Sequence, residues 1–267
     1  TDTETTTVVV NNVAPVITAL TGDIINENGT ATVSGVFTDP GTLDVHTVTI
    51  DWDDPNNATD TVLTLAAGVL SFSASHQYLD DGLAPGNGTS SDTSTVSVKV
   101  DDDDLGTDTE TTTVVVNNVA PVITDSDLSL SATSIDENAS VTLSGVFTDP
   151  GTLDPHTVVI NWADGSANTT ITLAAGVLSF GPVSHTYLDD GPSPGNGTPS
   201  DSYTITVTVS DDDTGVDDAS ASLTVYNVAP VADAGADVTG IFEGTPVTLT
   251  GSFTDVGTLD THTWQWL

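Results

Sequence analysis

Residues 141–166 read VTLSGVFTDPGTLDPHTVVINWADGS. Val141, Leu143 and Phe147 alternate with polar neighbours before the turn TDPG, and Val158, Ile160 and Trp162 alternate with polar neighbours after it. Successive side chains of a strand point to opposite faces, so an apolar residue at every second position, punctuated by Gly, Pro and Asp, reads as half-buried strands joined by loops. The same pattern occurs upstream in Ala31, Val33 and Phe37, then in Val48, Ile50 and Trp52, and Tyr203, Ile205, Val207 and Val209 form one face of a further strand. No stretch of useful length carries a helical period. About seven short strands in a unit slightly over 100 residues long, with a Trp on the third, predict an all-β, immunoglobulin-like sandwich.

That unit is written more than once. TDTETTTVVVNNVAPVIT occupies residues 1–18 and recurs letter for letter at 107–124, and NNVAP at 11–15 and 117–121 returns as YNVAP at 226–230. FTDPGTLD occurs at 37–44 and 147–154 and as FTDVGTLD at 253–260, while LAAGVLSF, LDDG and PGNGT occur twice each in the same order. An active site is assembled once from scattered residues, whereas exact repetition suits stacked modules that pack on their neighbours. The expected organisation is the last strand of a preceding repeat (1–10), two full repeats (11–116 and 117–226) and the incomplete start of a further repeat (227–267), a window on a longer array.

The ordered set NVAPV, VTLSGVFTDPG (141–151), NWADGS (161–166), SHTYLDDG (184–191) and YTITVTVSDDDTG (203–215) resembles the polycystic kidney disease (PKD) repeat family over essentially the whole chain. The resemblance implies tandem PKD-like immunoglobulin-like β-sandwiches acting as an extracellular spacer or interaction module. The family's W-x-F-G-D-G turn is shortened to NWADGS in one unit and replaced by DWDDPNNA (51–58) in the other, so no family binding site is carried over.

Charge narrows the partners. Among 267 residues there are 39 acids, 34 of them Asp, against the single base Lys99, for a net charge of -38. Such a chain repels nucleic acid and anionic membrane surfaces, and cations are its natural partners. No run approaches the ~20 apolar residues of a membrane span. Cys is absent, which by itself places the chain in no particular compartment. Asp is a hard oxygen ligand that sits well in turns, which favours calcium as the expected cofactor.

In an immunoglobulin-like sandwich the B–C and F–G loops lie at the end where the chain comes in, and the A–B, C–D and E–F loops at the opposite end. This scheme puts Asp39 and Asp44, Asp149 and Asp154, and the runs Asp101, Asp102, Asp103 and Asp211, Asp212, Asp213 upstream in their units. Downstream lie Glu27 or Glu137, Asp53 and Asp54, and the LDDG pairs Asp80, Asp81 and Asp189, Asp190. In tandem, one acidic end abuts the next across NNVAP. Two carboxylates ~4 Å apart repel by roughly 4 kcal/mol at an effective dielectric near 20, and bound cations reverse that sign. The expectation is interdomain calcium held by Glu27, Asp80 and Asp81 with Asp149, Asp154 and Asp211 to Asp213; the competing reading is solvated turn acids kept for solubility or for life in high salt. Neither Asp run has the alternating acids, glycine and distal Glu of an EF-hand.

Catalysis is not expected. Ser75-His76 and Ser184-His185 precede Asp80 and Asp189, but a working triad gathers its members from separate elements beside an oxyanion site. His46, His156 and His262 read as loop or strand-edge residues, and five histidines without cysteine give no zinc spacing. Sequons at Asn28, Asn57, Asn87, Asn138, Asn168 and Asn196 make glycans a candidate decoration. The reading is a structural or adhesive extracellular protein, not an enzyme: an elongated stalk or cell-surface fibre that contacts neighbouring repeats or other copies of itself, stiffened by calcium at its junctions. The alternative is a carbohydrate- or matrix-binding accessory module of a secreted enzyme, against which four Trp and four Tyr, mostly at inward positions, are few.

Overall fold

The computed structural model describes residues 2–191 and 196–265, so Pro194 and Gly195 of the second PGNGT loop, and Leu267, lie outside the described residues. The first sandwich contains β1 (Val16–Thr21), β2 (Asp23–Asn26), β3 (Thr30–Thr38), β4 (His46–Asp51), β5 (Thr61–Leu65), β6 (Ser71–Gln77), β7 (Ser91–Asp101) and β8 (Thr107–Asn117). One sheet has the order β1-β3-β6 and the facing sheet β2-β8-β7-β4-β5. The second sandwich repeats this with β9 (Leu128–Leu130), β10 (Ser134–Asp136), β11 (Ala139–Val146), β12 (His156–Asn161), β13 (Thr169–Leu173), β14 (Ser179–Tyr187), β15 (Ser200–Ser210) and β16 (Val216–Tyr226), in sheets β14-β11-β9 and β10-β16-β15-β12-β13. The chain is therefore built of immunoglobulin-like β-sandwiches. Its first strand is split: β1 pairs antiparallel with β3, then β2 crosses to the other sheet and runs parallel to β8.

The alternation seen in the sequence is the core. Val33, Phe37, Val48, Ile50, Trp52, Val98, Val100 and Val114 are buried together in the first sandwich, as are Val141, Leu143, Phe147, Val158, Ile160, Trp162, Val207 and Val209 in the second. Each central Trp spends its one donor on a threonine of the neighbouring strand, Trp52 Nε1 to Thr61 Oγ1 (2.9 Å) and Trp162 Nε1 to Thr169 Oγ1 (3.0 Å). Tyr78 and Tyr187 donate their hydroxyls to the backbone oxygens of Trp52 (2.7 Å) and Trp162 (2.9 Å), which fixes the loop after β6 or β14 against the Trp strand. Gly35 and Gly145 are required where Phe72 and Phe180 lie across the sheet, because a Cβ would come within 2.5 Å and 2.6 Å of those rings.

Identical letters take different structures at the two copies of the opening stretch. At 107–117 they form β8, between β7 and β2, and Val114 and Val116 are 0% and 2% exposed. At 2–10 they form no strand, and the equivalent Val8 and Val10 are 83% and 88% exposed. Thr and Val fit a pleated, half-buried surface, and without flanking strands that preference has nothing to act on. Beyond the second sandwich, β17 (Val231–Asp233) and β18 (Ser252–Thr254) form a two-stranded antiparallel sheet with both strands exposed.

The packing leads to a test. Trp162→Ala is expected to destabilise the second sandwich by about 3–5 kcal/mol, and Tyr187→Phe by about 1–3 kcal/mol because it strands a buried backbone oxygen. Chemical denaturation followed at both sandwiches, with the first as internal reference, checks the order of the two effects.

Candidate metal centre

The junction between the sandwiches is built from backbone outward. The parallel pair β2–β8 ends at Asn26 opposite Asn117, and the next amide, Glu27 N, continues the ladder to the Asn117 oxygen (2.9 Å). Asn28 then turns in the left-handed region (φ 56°), which an Asn tolerates, and the chain reverses into β3. This turn points the Glu27 carboxylate at the linker, where Oε1 accepts the Val119 amide at 2.6 Å. The second sandwich repeats each step: Glu137 N bonds the Tyr226 oxygen (2.9 Å), Asn138 is left-handed (φ 59°), and Glu137 Oε1 accepts the Val228 amide at 2.6 Å.

The linker is tied on both sides. Asn118 Nδ2 donates to Asp211 Oδ2 (3.0 Å) and to the Asp213 oxygen (3.1 Å), and the Ile123 amide donates to Asp217 Oδ2 (2.9 Å). The PGNGT loop of the first sandwich also reaches the second, with the Asn87 and Gly88 amides donating to Asp213 Oδ1 at 3.0 and 2.8 Å.

Around these bonds the acids converge. Carboxylate oxygens of Glu27, Asp80 and Asp81 lie within 4.8 Å of one another, and so do those of Glu27, Asp149 and Asp154, the latter pair coming from the second sandwich. Twice the roughly 2.4 Å calcium–oxygen distance is about the same span. Glu27, Asp80 and Asp81 are each 3% exposed and Asp154 is 1% exposed. Glu27 Oε2, Asp80 Oδ2 and both oxygens of Asp81, Asp154 and Asp212 are buried with no hydrogen-bond partner in the protein. Gly151 is required here: a Cβ would sit 2.0 Å from Asp154 Oδ2 and 2.6 Å from Glu27 Oε2. At the next junction Glu137, Asp189 and Asp260 form the matching group, and a Cβ on Gly257 would lie 2.5 Å from both Asp260 Oδ2 and Glu137 Oε2.

Other acids serve the loops. Asp211 accepts from the Asp213 amide (3.0 Å), the Gly215 amide (2.6 Å) and Asn118, so its oxygens are occupied. Asp102 does the same with Asp104 N, Gly106 N and Asn12 Nδ2, and also joins Asp39 and Asp44 in a group at the upstream end of the first sandwich. Burial would raise the Asp102 carboxyl, but those hydrogen bonds outweigh it and hold it below its ordinary value. Asp101 turns outward to Lys99 Nζ (2.8 Å), and Asp103 is exposed and accepts the Val45 amide; neither joins a group among the described residues. Asp190 is buried beside Asp189 with an unpartnered Oδ2.

Every histidine faces a carboxylate. His46, His156 and His262 place Nε2 at 3.0, 2.9 and 2.6 Å from Asp39, Asp149 and Asp255, and His46 and His156, the first residues of their strands, are buried. His76 and His185 contact Asp54 and Asp164 and stack on Trp52 and Trp162 with centroids 5.1 and 4.5 Å apart. Ser75 and Asp80 take no part in these pairs: the Ser75 hydroxyl bonds Thr32. Spacing in the sequence did not reveal the pairing of each strand-leading His with the Asp seven residues before it, nor the roles of Asn118 and Asp260; alignment of the FTDPGTLD copies was the available signal for Asp260.

With no Lys or Arg at the junction, electrostatics push the carboxyls up. Burial, then the charges of Asp213 and Asp80, raise Asp81 from 3.8 to about 8. Burial raises Asp212 to about 6, and burial with the charge of Asp149 raises Asp154. Burial likewise raises Glu27, opposed by the Val119 amide and assisted by the charge of Asp154. Burial also raises Glu137 and Asp260 at the next junction.

No family model matches the chain, and no curated protein matches it. Among solved structures, the FN1-FN3 domains of chicken CNTN1 align over 80% of this chain and 68% of theirs at 13% identity, with a TM-score of 0.27. Red sea bream transglutaminase aligns over 82% of this chain and 32% of its own at 11% identity, with a TM-score of 0.31. Both superpositions are loose, and the fold assignment rests on the chain's own strand order.

The raised carboxyls set a pH dependence. In the folded chain Asp81 keeps its proton to about pH 8, whereas unfolded it loses it near 3.8, so the folded state binds more protons between these values. Without divalent cations, the stability this group contributes is complete below pH 3.8 and is lost as pH rises toward 8; Asp212 adds the same trend up to about 6. Melting temperatures in EDTA are therefore expected to fall from pH 5 to pH 9, and Asp81→Asn to flatten the fall.

Proposed function

We propose that this chain belongs to an extracellular tandem-repeat protein of PKD-like sandwiches, a stalk or surface fibre whose joints are stiffened by calcium. The observation that carries this reading is the convergence of Glu27, Asp80 and Asp81 with Asp149 and Asp154 from the next sandwich, with buried carboxylate oxygens that no protein donor satisfies. Leaving charges buried and uncompensated costs several kcal/mol per ion, and a divalent cation removes that cost while linking the two modules. Calcium suits the site better than magnesium, because irregular loops supply carboxylates in a loose arrangement and magnesium demands a near-ideal octahedron. The acid-dominated surface, with the single base Lys99, accords with a protein that stays apart from nucleic acid and anionic lipid.

PKD-like identity is supported by the ordered motifs together with the split first strand and the buried Trp52 and Trp162 directly after β4 and β12. Adhesion would then reside in how such arrays present or pack against one another, and copies of the same chain are the proposed neighbours.

Calcium at about one hundred times its dissociation constant is expected to stabilise the chain by about 2.7 kcal/mol per independent site. Differential scanning calorimetry with calcium, magnesium or EDTA measures this. Solution scattering should show a narrower spread of interdomain distances with calcium. A melting temperature and scattering profile indifferent to calcium at neutral pH would remove the proposal.

A further inference from the structure

We infer that the junction between the two sandwiches is a two-ion centre, in which Glu27 is the ligand shared by a calcium held within the first sandwich and a second calcium that bridges to the next. The inference rests on the reading of this junction as a calcium site and specifies its stoichiometry.

The geometry points to two positions because the convergent acids form two groups with one member in common. Asp80 and Asp81 group with Glu27, and Asp149 and Asp154 group with Glu27, while among the described residues no group holds acids of both pairs within the 4.8 Å span. An ion seated among Glu27, Asp80 and Asp81 therefore leaves both oxygens of Asp154 buried and unpartnered. An ion seated among Glu27, Asp149 and Asp154 leaves both oxygens of Asp81 in that state. Uncompensated buried carboxylates are what a closed protein interior tolerates least.

Charge supports the same count. Asp212 and Asp213 press on Asp80, Asp81 and Asp154 from the second sandwich, and no Lys or Arg shares the space, since the only one, Lys99, pairs with Asp101. One divalent ion leaves this assembly strongly negative. Glu27 is suited to sharing: Oε1 is anchored by the Val119 amide, which fixes the carboxylate, and Oε2 is free beside Asp154. Paired ions sharing ligands commonly lie about 3.5–4 Å apart.

The two positions differ in kind. Acids of the first sandwich alone form the first, so it exists whatever the neighbour does; the second exists only when the modules are docked. At the next junction the shared acid is on the other side: Glu137 and Asp189 group with Asp260, and Asp260 also groups with Asp255 and His262 of its own unit.

The test counts calcium ions on the whole chain by native mass spectrometry at saturating calcium chloride. Glu27→Gln is expected to lose two ions relative to the unaltered chain, Asp81→Asn and Asp154→Asn one each, and Glu137→Gln one. Loss of a single ion in Glu27→Gln, with calcium still bound and stabilising elsewhere, overturns the two-ion centre and leaves the calcium-junction reading standing. No calcium bound to the unaltered chain overturns both. Electron paramagnetic resonance of the unaltered chain loaded with manganese(II) needs no variant to fold: a spin-coupled pair is expected, and only isolated ions at saturation would overturn the inference.

Discussion

Carboxylates buried against carboxylates, with no basic side chain to oppose them, are the constraint on which this molecule depends. Glu27, Asp81 and Asp154 are as buried as the valines of the core, yet each keeps oxygens that no protein group satisfies. A buried charge in this position must be neutralised by a proton or countered by a cation. The first option raises the carboxyl pKa values; the second makes the junction a place where solvent composition governs how the modules meet. In the sandwich cores, by contrast, the polar tips of Trp52, Trp162, Tyr78 and Tyr187 all find partners.

The acids are placed by the fold and divide their work. Glu27 stands where the parallel pairing of β2 with β8 runs out, so its backbone finishes a sheet while its side chain receives the linker. Asp102 and Asp211 close the hairpins β7–β8 and β15–β16 by accepting two amides each and an Asn side chain from the linker. Asp39 and Asp149 hold the histidines that open β4 and β12. Asp149 also accepts the Gly151 amide and still joins the junction, whereas Glu27, Asp80, Asp81 and Asp154 keep oxygens there that no protein group satisfies.

Much of this was readable in the letters. Alternation located the core residues and Trp52 and Trp162, and knowledge of which loops share an end brought Glu27, Asp80 and Asp81 to the side facing Asp149 and Asp154. The sequence could not distinguish among consecutive acids, because direction within a hairpin loop depends on backbone torsions: Asp102 turns in while Asp101 and Asp103 turn out. It could not reveal that Asp211 accepts the Asp213 and Gly215 amides and the Asn118 side chain in closing its loop. Nor does the letter pattern alone decide pairing, since the stretch that forms β8 at 107–117 forms no strand at 2–10; strand formation belongs to the sheet and not to the segment.

The parallel run of β2 beside β8 has a mechanical meaning. When such a module is stretched by its two ends, β2 is drawn backward while β8 is drawn forward, so the hydrogen bonds between them lie across the pull and must yield together. A hairpin tugged open from its tip loses its bonds one after another. Tension transmitted along a chain of these modules thus meets a clamp in each of them, located beside Glu27 and Glu137, where one module hands its load to the next.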